Sequence, residues 1–211
     1  MIEREESREI IRRLKEEYGT PAPMLDYETP FQLMVAVVLS AQCTDERVNK
    51  VTKELFKIAG TPEKMATLKL DELENLIKST GFYRNKAKNI LESAKIILTN
   101  YEGKLPDTME ELLKLPGVGR KSANVILGHI YGVPGVTVDT HVKRVSRRLG
   151  FTESKQPEKI EKDVMAAVER DNWFIFSNLI IIHGRKICSA RKPKCEICIL
   201  NDKCKLWREK I

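Results

Sequence analysis

Four of the five cysteines in this 211-residue chain lie close together near its C-terminal end. They form a C-x6-C-x2-C-x5-C run made of Cys188, Cys195, Cys198 and Cys204. Thiolates bind soft metals, and four on one short segment can enclose either a zinc ion or a 4Fe–4S cluster. Zinc sites usually contain two C-x2-C pairs, whereas this run contains one, so the spacing favours the cluster. The charged N-terminus is not a secretory signal, which argues against a disulfide framework.

A second motif, Leu115-Pro-Gly-Val-Gly-Arg-Lys121, joins two amphipathic segments. Pro116 cannot continue the first helix, and Gly117 and Gly119 permit unusual backbone angles and close approach. The motif predicts a helix–hairpin–helix at about 108–131. Its turn would aim backbone N–H groups and a helix N-terminus outward, which suits a phosphate and reads no base sequence. An ordinary αα-hairpin is the alternative interpretation.

Lys121 and Asp139 are candidates for covalent chemistry. Lys121 falls in the first turn of the second helix, where the helix dipole and Arg120 both disfavour an ammonium group. A neutral amine is a nucleophile that can form a Schiff base, although contact with a phosphate is the simpler role. Asp139 precedes a basic helix and has the sequence context of an N-cap. As an ionised carboxylate it could also stabilise a cation or take a proton.

The charge of the chain suggests a polyanionic partner. Its 37 basic and 30 acidic residues give a net charge of +7, and residues 181–211 alone hold nine basic and three acidic residues. Arg191, Lys192 and Lys194 lie between the first two cysteines of the run. Such a patch suits phosphates, although a solvated lysine-rich surface would give the same count. We interpret the three histidines, which lack metal-ligand spacing, as structural: His129, His141 and His183.

The pattern along the chain is helical. No segment shows sustained period-two alternation, which predicts an all-α fold. Capping boxes are expected at Asp71–Glu74 and Asp107–Glu110. A loop is expected at Thr20–Pro23. The segment 132–138 is the best candidate linker, although its apolar content fits a buried crossing equally well. No apolar run is long enough to span a membrane, and the acidic N-terminus is unlike a transit peptide.

Six segments together resemble the endonuclease III family of helix–hairpin–helix DNA glycosylases. They are Leu39–Asp45, Gly81–Ala87, Leu115–Leu127, Val138–His141, His183–Arg185 and the cysteine run. The resemblance covers nearly the whole chain and implies two helical lobes flanking a DNA-binding cleft. One is a six-helix barrel over 23–135 that contains the hairpin. The other joins 1–22 with 136–211 and carries a 4Fe–4S cluster in the loop 188–204.

The resemblance also implies roles for single residues. Lys121 matches the catalytic lysine, Asp139 the catalytic aspartate, and Gln42 the residue that fills the gap left by an extruded base. Phe82 stands where some members have a leucine wedge, and Cys43 stands where others have alanine, which we interpret as a small buried thiol. The cysteine run supplies the cluster ligands. The expected DNA contacts are Gln42, Phe82, Gly117, Gly119, Arg120, Arg191, Lys192 and Lys194.

The implied activity is that of a bifunctional DNA glycosylase and abasic-site lyase. Such an enzyme removes oxidised or ring-saturated pyrimidines through a lysine Schiff base and cuts 3′ to the site by β-elimination. A monofunctional mismatch glycosylase of the same fold is one alternative, but such enzymes commonly lack the lysine. A non-catalytic iron–sulfur DNA-binding regulator is another. We expect a monomer that acts on double-stranded DNA at the nucleoid of a prokaryotic cytoplasm.

Overall fold

The computed structural model describes residues 2–19 and 24–208, so the loop expected at Thr20–Pro23, with the lobe boundary expected at 22/23, lies outside the described residues. Every regular element in the described part is a helix, which confirms the all-α prediction. The α-helices are α1 (Arg4–Tyr18), α2 (Pro30–Ser40), α3 (Asp45–Ala59), α4 (Pro62–Thr67), α5 (Leu70–Ile77), α6 (Tyr83–Tyr101), α7 (Met109–Leu112), α8 (Arg120–Ile130), α9 (Thr140–Leu149), α10 (Pro157–Ala167), α11 (Trp173–Lys186) and α12 (Lys205–Arg208).

The chain divides into two compact units. The middle unit lies within Pro23–Val133 and contains α2 to α8, and the terminal unit combines Met1–Ala22 with Pro134–Ile211 and contains α1 and α9 to α12. The division after Val133 falls two residues before the position expected from the sequence. The stretch that follows it is partly buried, since Val136 and Thr137 have almost no exposed surface.

The core of the middle unit is built around α2. Thr29 caps this helix by accepting a hydrogen bond from the backbone N–H of Gln32, and Pro30 occupies its first position. All nine residues of Phe31–Leu39 are buried, as expected for a helix that is apolar on every face. Helices α3, α6 and α8 pack against it. This central helix fixes where the segments that follow α2 and precede α8 reach the surface.

The terminal unit has a core of its own. Helix α11 packs against α1 and α9, and Phe151 and Phe176 make an edge-on contact with ring centroids 5.0 Å apart. The Ser7 hydroxyl on α1 donates to the carbonyl of Ala167 at the end of α10. Residues near the start of the chain thus complete the core of its C-terminal part. No helix of residues 2–19 and 24–208 has the length and apolar character needed to cross a membrane.

Candidate functional site

The hairpin between α7 and α8 is fixed by a glycine that cannot be replaced without strain. Gly117 has a φ of 82°, which favours glycine. A Cβ there would lie 3.1 Å from the Asn89 amide nitrogen and 3.3 Å from a methyl carbon of Val38. The Ser93 hydroxyl donates to the carbonyl of Pro116, 3.0 Å away. The tip of the hairpin is therefore held closely against α2 and α6.

Gly119 differs from Gly117, and the expectation of an unusual backbone angle is wrong for it. It is the N-cap of α8 with a φ of −92° and ψ of 175°, an extended conformation that any residue adopts. A Cβ at this position would meet no atom within 4 Å. Gly119 brings no side chain to cap the amides of the first turn of α8. That turn begins with Arg120 and Lys121, and both residues are exposed. The N-terminus of α8 and two cationic side chains are therefore close together on the surface of the middle unit.

Asp139 is the N-cap of α9 in the terminal unit. One of its carboxylate oxygens, Oδ1, accepts a hydrogen bond of 2.7 Å from the backbone N–H of Val142. The residue is half-buried. The cap places a carboxyl group at a helix N-terminus, which attracts negative charge, so capping and an electrostatic role are compatible.

Gln42 lies at the apex of the turn between α2 and α3. The backbone N–H of Cys43 donates to the carbonyl of Ser40, and Ala41 has a φ of −57° and a ψ of 114°. With Gln42 at a φ of 54°, these four residues form a type II turn, which usually has glycine at that position. A non-glycine residue there costs about 1–2 kcal/mol, a strain that commonly marks functional positions.

Phe82 shows the same combination of backbone strain and exposure. It is the N-cap of α6, with a φ of 47° and a ψ of 27°, directly after Gly81. Its side chain is 66% exposed, unusual for a phenylalanine. Within the part of the chain that the structure describes, only Glu102 joins Gln42 and Phe82 as a non-glycine residue with positive φ.

The four cysteines of the run line one cavity in the terminal unit. Its other lining side chains are largely apolar and include those of Val145, Leu149, Ile187 and Leu206. Burial raises the pKa of Cys198 to about 11, so without a metal the thiol form is favoured. Over residues 2–19 and 24–208, no three metal-binding side chains are grouped to hold a single metal ion. In a 4Fe–4S cluster each thiolate binds a different iron, so four thiols around one cavity fit this group.

Two arginines of α9 organise the start of the cysteine loop, a role the sequence did not predict. Arg144 donates to the Cys188 carbonyl through Nε at 3.1 Å. Arg148 donates through Nη1 to the Cys188 sulfur at 3.3 Å and to the Ser189 carbonyl at 2.7 Å. The sequence shows only that both lie on the basic helix that follows Asp139. Only the tertiary structure shows that the guanidinium groups bind the loop.

His183 also contacts the cysteine site. Its Nε2 lies 3.6 Å from the Cys198 sulfur, and its Nδ1 lies 2.9 Å from the Tyr18 hydroxyl. Burial lowers the pKa of His183 to about 4, so the ring is neutral at pH 7. The structural interpretation of this histidine agrees with its burial, although the sequence did not indicate the cysteine beside it.

The basic residues between the first two cysteines are exposed. Arg191, Lys192 and Lys194 lie on a loop closed by hydrogen bonds from Ser189 Oγ to the Lys192 carbonyl and from the Lys194 N–H to the Ile187 carbonyl. The loop therefore has a defined backbone and presents three cations to solvent, as a phosphate-binding surface requires.

The chain matches two family models. Residues 35–170 match the HhH-GPD superfamily of base excision DNA repair proteins. Residues 188–204 match the iron–sulfur binding domain of endonuclease III. The second match begins at the first cysteine of the run and ends at the last.

Similar proteins and structures extend over almost the full length. The endonuclease III of Synechocystis sp. is 52% identical over 93% of this chain and 90% of its own. That of Escherichia coli K12 is 40% identical over 96% of each chain. A solved structure of a trapped endonuclease III–DNA covalent intermediate is 41% identical, with a TM-score of 0.93 over 100% of this chain and 99% of that one.

Proposed function

Because the chain belongs to the HhH-GPD superfamily of base excision DNA repair proteins, and within it to the endonuclease III family, we propose that Lys121 and Asp139 carry out its chemistry. The protein is a DNA glycosylase and abasic-site lyase of base excision repair that acts on double-stranded DNA and contains an iron–sulfur cluster. The predicted family, enzyme class, DNA partner and cofactor are confirmed.

In the proposed reaction the Lys121 amine attacks C1′ of the damaged nucleoside. The C1′–N bond breaks, and the base leaves with that electron pair and takes up a proton. The sugar ring then opens to a Schiff base between Lys121 and C1′. Loss of a proton from C2′ breaks the C3′–O bond, which cuts the strand on the 3′ side. Hydrolysis of the Schiff base releases the lysine.

Asp139 has an electrostatic role in this scheme. Positive charge develops on the sugar as the C1′–N bond breaks, and a fixed carboxylate stabilises it. The same group can assist proton transfer when the amine adds. Its hydrogen bond from Val142 holds one oxygen in place before the reaction begins.

We propose that the four cysteines of the run hold the cluster as a 4Fe–4S group. When bound it supplies a rigid crosslink, since four thiolates fill the iron sites and leave no coordination position for substrate. Arg148 and the backbone bonds of the loop then fix Arg191, Lys192 and Lys194 relative to the cysteines. The proposed role of these three cations is to contact phosphates.

The observation that carries the proposal is the position of Lys121, exposed in the first turn of α8 directly after the hairpin. A phosphate held at this helix N-terminus would bring a sugar close to the lysine. The covalent DNA intermediate trapped with a 41% identical endonuclease III supports a nucleophile of this kind. We infer that the substrates are oxidised or ring-saturated pyrimidines and that the enzyme works at the nucleoid of a prokaryotic cell.

Borohydride trapping tests the nucleophile. Wild-type protein incubated with abasic-site DNA should cut the strand and, with borohydride, form a stable protein–DNA adduct. Lys121→Gln should lose both reactions yet still bind the DNA, since it removes one cation among many. Lys53→Gln, which removes a cation from an exposed site on α3, is the matched control and should behave as wild type.

A lesion-containing duplex, added to the same experiment, separates the alternatives. A monofunctional glycosylase would release the base from that duplex without cutting or trapping, and a non-catalytic regulator would do neither. Full cleavage and trapping by Lys121→Gln would disprove the assignment and point to another amine.

A further inference from the structure

A buried lysine links two strained turns of the middle unit. One is the type II turn that contains Gln42, and the other is the Gly81-Phe82 turn that precedes α6. Lys86, in the first turns of α6, is only 5% exposed. Its ammonium group donates to the carbonyl of Leu39, near the end of α2, and to that of Thr80, each at 2.8 Å. In the chain, Leu39 lies three residues before Gln42, and Thr80 lies two residues before Phe82. One side chain thus binds the backbone leading into both turns.

These two turns cannot keep their shape through local preference alone. Gln42 and Phe82 both have backbone angles that side chains rarely adopt, and both are exposed. A strained conformation persists only where the surroundings determine it. The hydrogen bonds of Lys86 supply such a constraint, because they hold the two flanking segments at a common distance from one ammonium group.

A buried ammonium group is itself unfavourable unless its donors are used. Burial lowers the pKa of Lys86, which reflects the cost of removing the charge from water. An apolar side chain would avoid that cost but would leave the Leu39 and Thr80 carbonyls without these donors. The Lys86 ammonium group therefore loses favourable hydration and gains hydrogen bonds to two backbone oxygens.

We propose that Lys86 is a positioning residue that holds the turns of Gln42 and Phe82 in the geometry in which both side chains enter DNA at the extruded base. The inference rests on the proposed function. It assigns to Lys86 no contact with the substrate, since its ammonium group is buried among backbone carbonyls.

Lys86→Met removes the ammonium group while keeping an unbranched chain. The exposed Lys88 on the same helix allows a matched control, Lys88→Met. The probe is a duplex with 2-aminopurine opposite a tetrahydrofuran abasic analogue, and its fluorescence rises when the 2-aminopurine is unstacked from its neighbours. At saturating protein, wild type and Lys88→Met should raise the fluorescence, and Lys86→Met should give a much smaller rise.

Base release should follow the same order. Under single-turnover conditions with a thymine glycol duplex, we expect Lys86→Met to lose roughly 10- to 100-fold in rate, the scale of a misplaced catalytic geometry. Affinity for undamaged duplex should stay within about 2-fold, since no exposed cation has been removed. Equal rates in Lys86→Met and wild type would overturn the proposal.

A double-mutant cycle distinguishes positioning from general loss of stability. If Lys86 acts through Gln42 and Phe82, adding Lys86→Met to a Gln42→Ala/Phe82→Ala protein should change the rate little further. A full additional loss would show that Lys86 acts elsewhere. If Lys86→Met fails to retain native circular dichroism, the cycle is run with Lys86→Gln, which keeps an N–H donor and should give an intermediate rate.

Wild-type behaviour separates this inference from the proposed function. Wild-type protein that neither cuts nor traps abasic DNA would refute the proposed function. Wild-type protein that traps DNA but does not raise the 2-aminopurine fluorescence would leave that function standing and overturn the role of Lys86.

Discussion

Asp139 combines a structural and a proposed chemical role, and one substitution separates them. Asparagine caps helices about as well as aspartate, so Asp139→Asn should keep the cap of α9 while it removes the charge. We expect base release to fall about 10²- to 10⁴-fold, because the developing sugar cation loses its carboxylate. Lyase activity on preformed abasic sites should fall less, since base loss is already complete. Single-turnover rates on lesion DNA and abasic DNA measure the two steps.

Asp139→Ala is the control for the cap. It removes the charge and the hydrogen bond together, and should lower stability by about 1 kcal/mol relative to Asp139→Asn. If Asp139→Asn releases base at the wild-type rate, the residue is an N-cap only.

The two hairpin glycines offer a matched pair at the scale of one element. Gly117→Ala places a Cβ against Asn89 and Val38 at a positive φ, so we expect a loss of stability of about 1–3 kcal/mol. Gly119→Ala adds a methyl group in open space at an ordinary φ and should cost no more than about 0.5–1 kcal/mol, because alanine is a poorer N-cap than glycine. Thermal unfolding midpoints of the two variants measure the difference. Equal destabilisation would contradict the assigned conformations.

Helix boundaries were predictable where the apolar pattern was long and less so at caps. The capping box expected at Asp71 is shifted, because the carboxylate of Glu72 accepts from the backbone N–H of Lys69 and the helix begins at Leu70. Likewise Thr108, and not Asp107, caps α7. Helix α4 was not predicted at all. Its six residues are too few for a periodic pattern, although Thr61-Pro62 is an N-cap followed by proline at the first position.

The candidate site was predictable where its residues are contiguous in sequence. The cysteine run and the hairpin carry their spacing within short segments, so their chemistry can be read directly. Lys86, Arg148 and His183 gave no such signal, because each has a partner tens of residues away in the chain that packing brings close: the Leu39 carbonyl, the Cys188 sulfur and the Tyr18 hydroxyl. Such contacts require the fold.

The exposed cations of the loop 188–194 should contribute to the affinity for DNA. Lys192 is exposed on a backbone closed by Ser189, so Lys192→Ala should weaken binding to all DNA sequences without changing base preference. The slope of log K against log salt should become shallower by about one unit, as for the loss of one phosphate contact. Fluorescence anisotropy over a range of salt concentrations gives the slope. An unchanged slope would show that the lysine does not reach a phosphate.

At the scale of the whole molecule, the net charge of +7 and the cluster serve different ends. In the proposed assignment the cations provide affinity for any duplex, whereas the cluster crosslinks the C-terminal segment. Three of its proposed ligands pack against the core of the terminal unit: Cys188, Cys198 and Cys204. The middle unit has a core of its own, formed by residues between Phe31 and Leu127. Loss of the cluster should therefore act on one core.

Cys198→Ala tests this division. Removing one ligand should lower the iron content and leave three half-buried thiols and the Arg148 guanidinium in the emptied cavity. Amides of α9 and α11 should then exchange with solvent at least about 10-fold faster, because the segment that covers them has lost its crosslink. Amides of α2 and α6 should keep their protection.

Cys43→Ala, which removes a thiol of the middle unit, is the control and should retain full iron. Hydrogen exchange read by mass spectrometry resolves the two sets of helices. Equal loss of protection in both units would mean that the cluster stabilises the molecule as a single cooperative structure and that the two cores do not unfold independently.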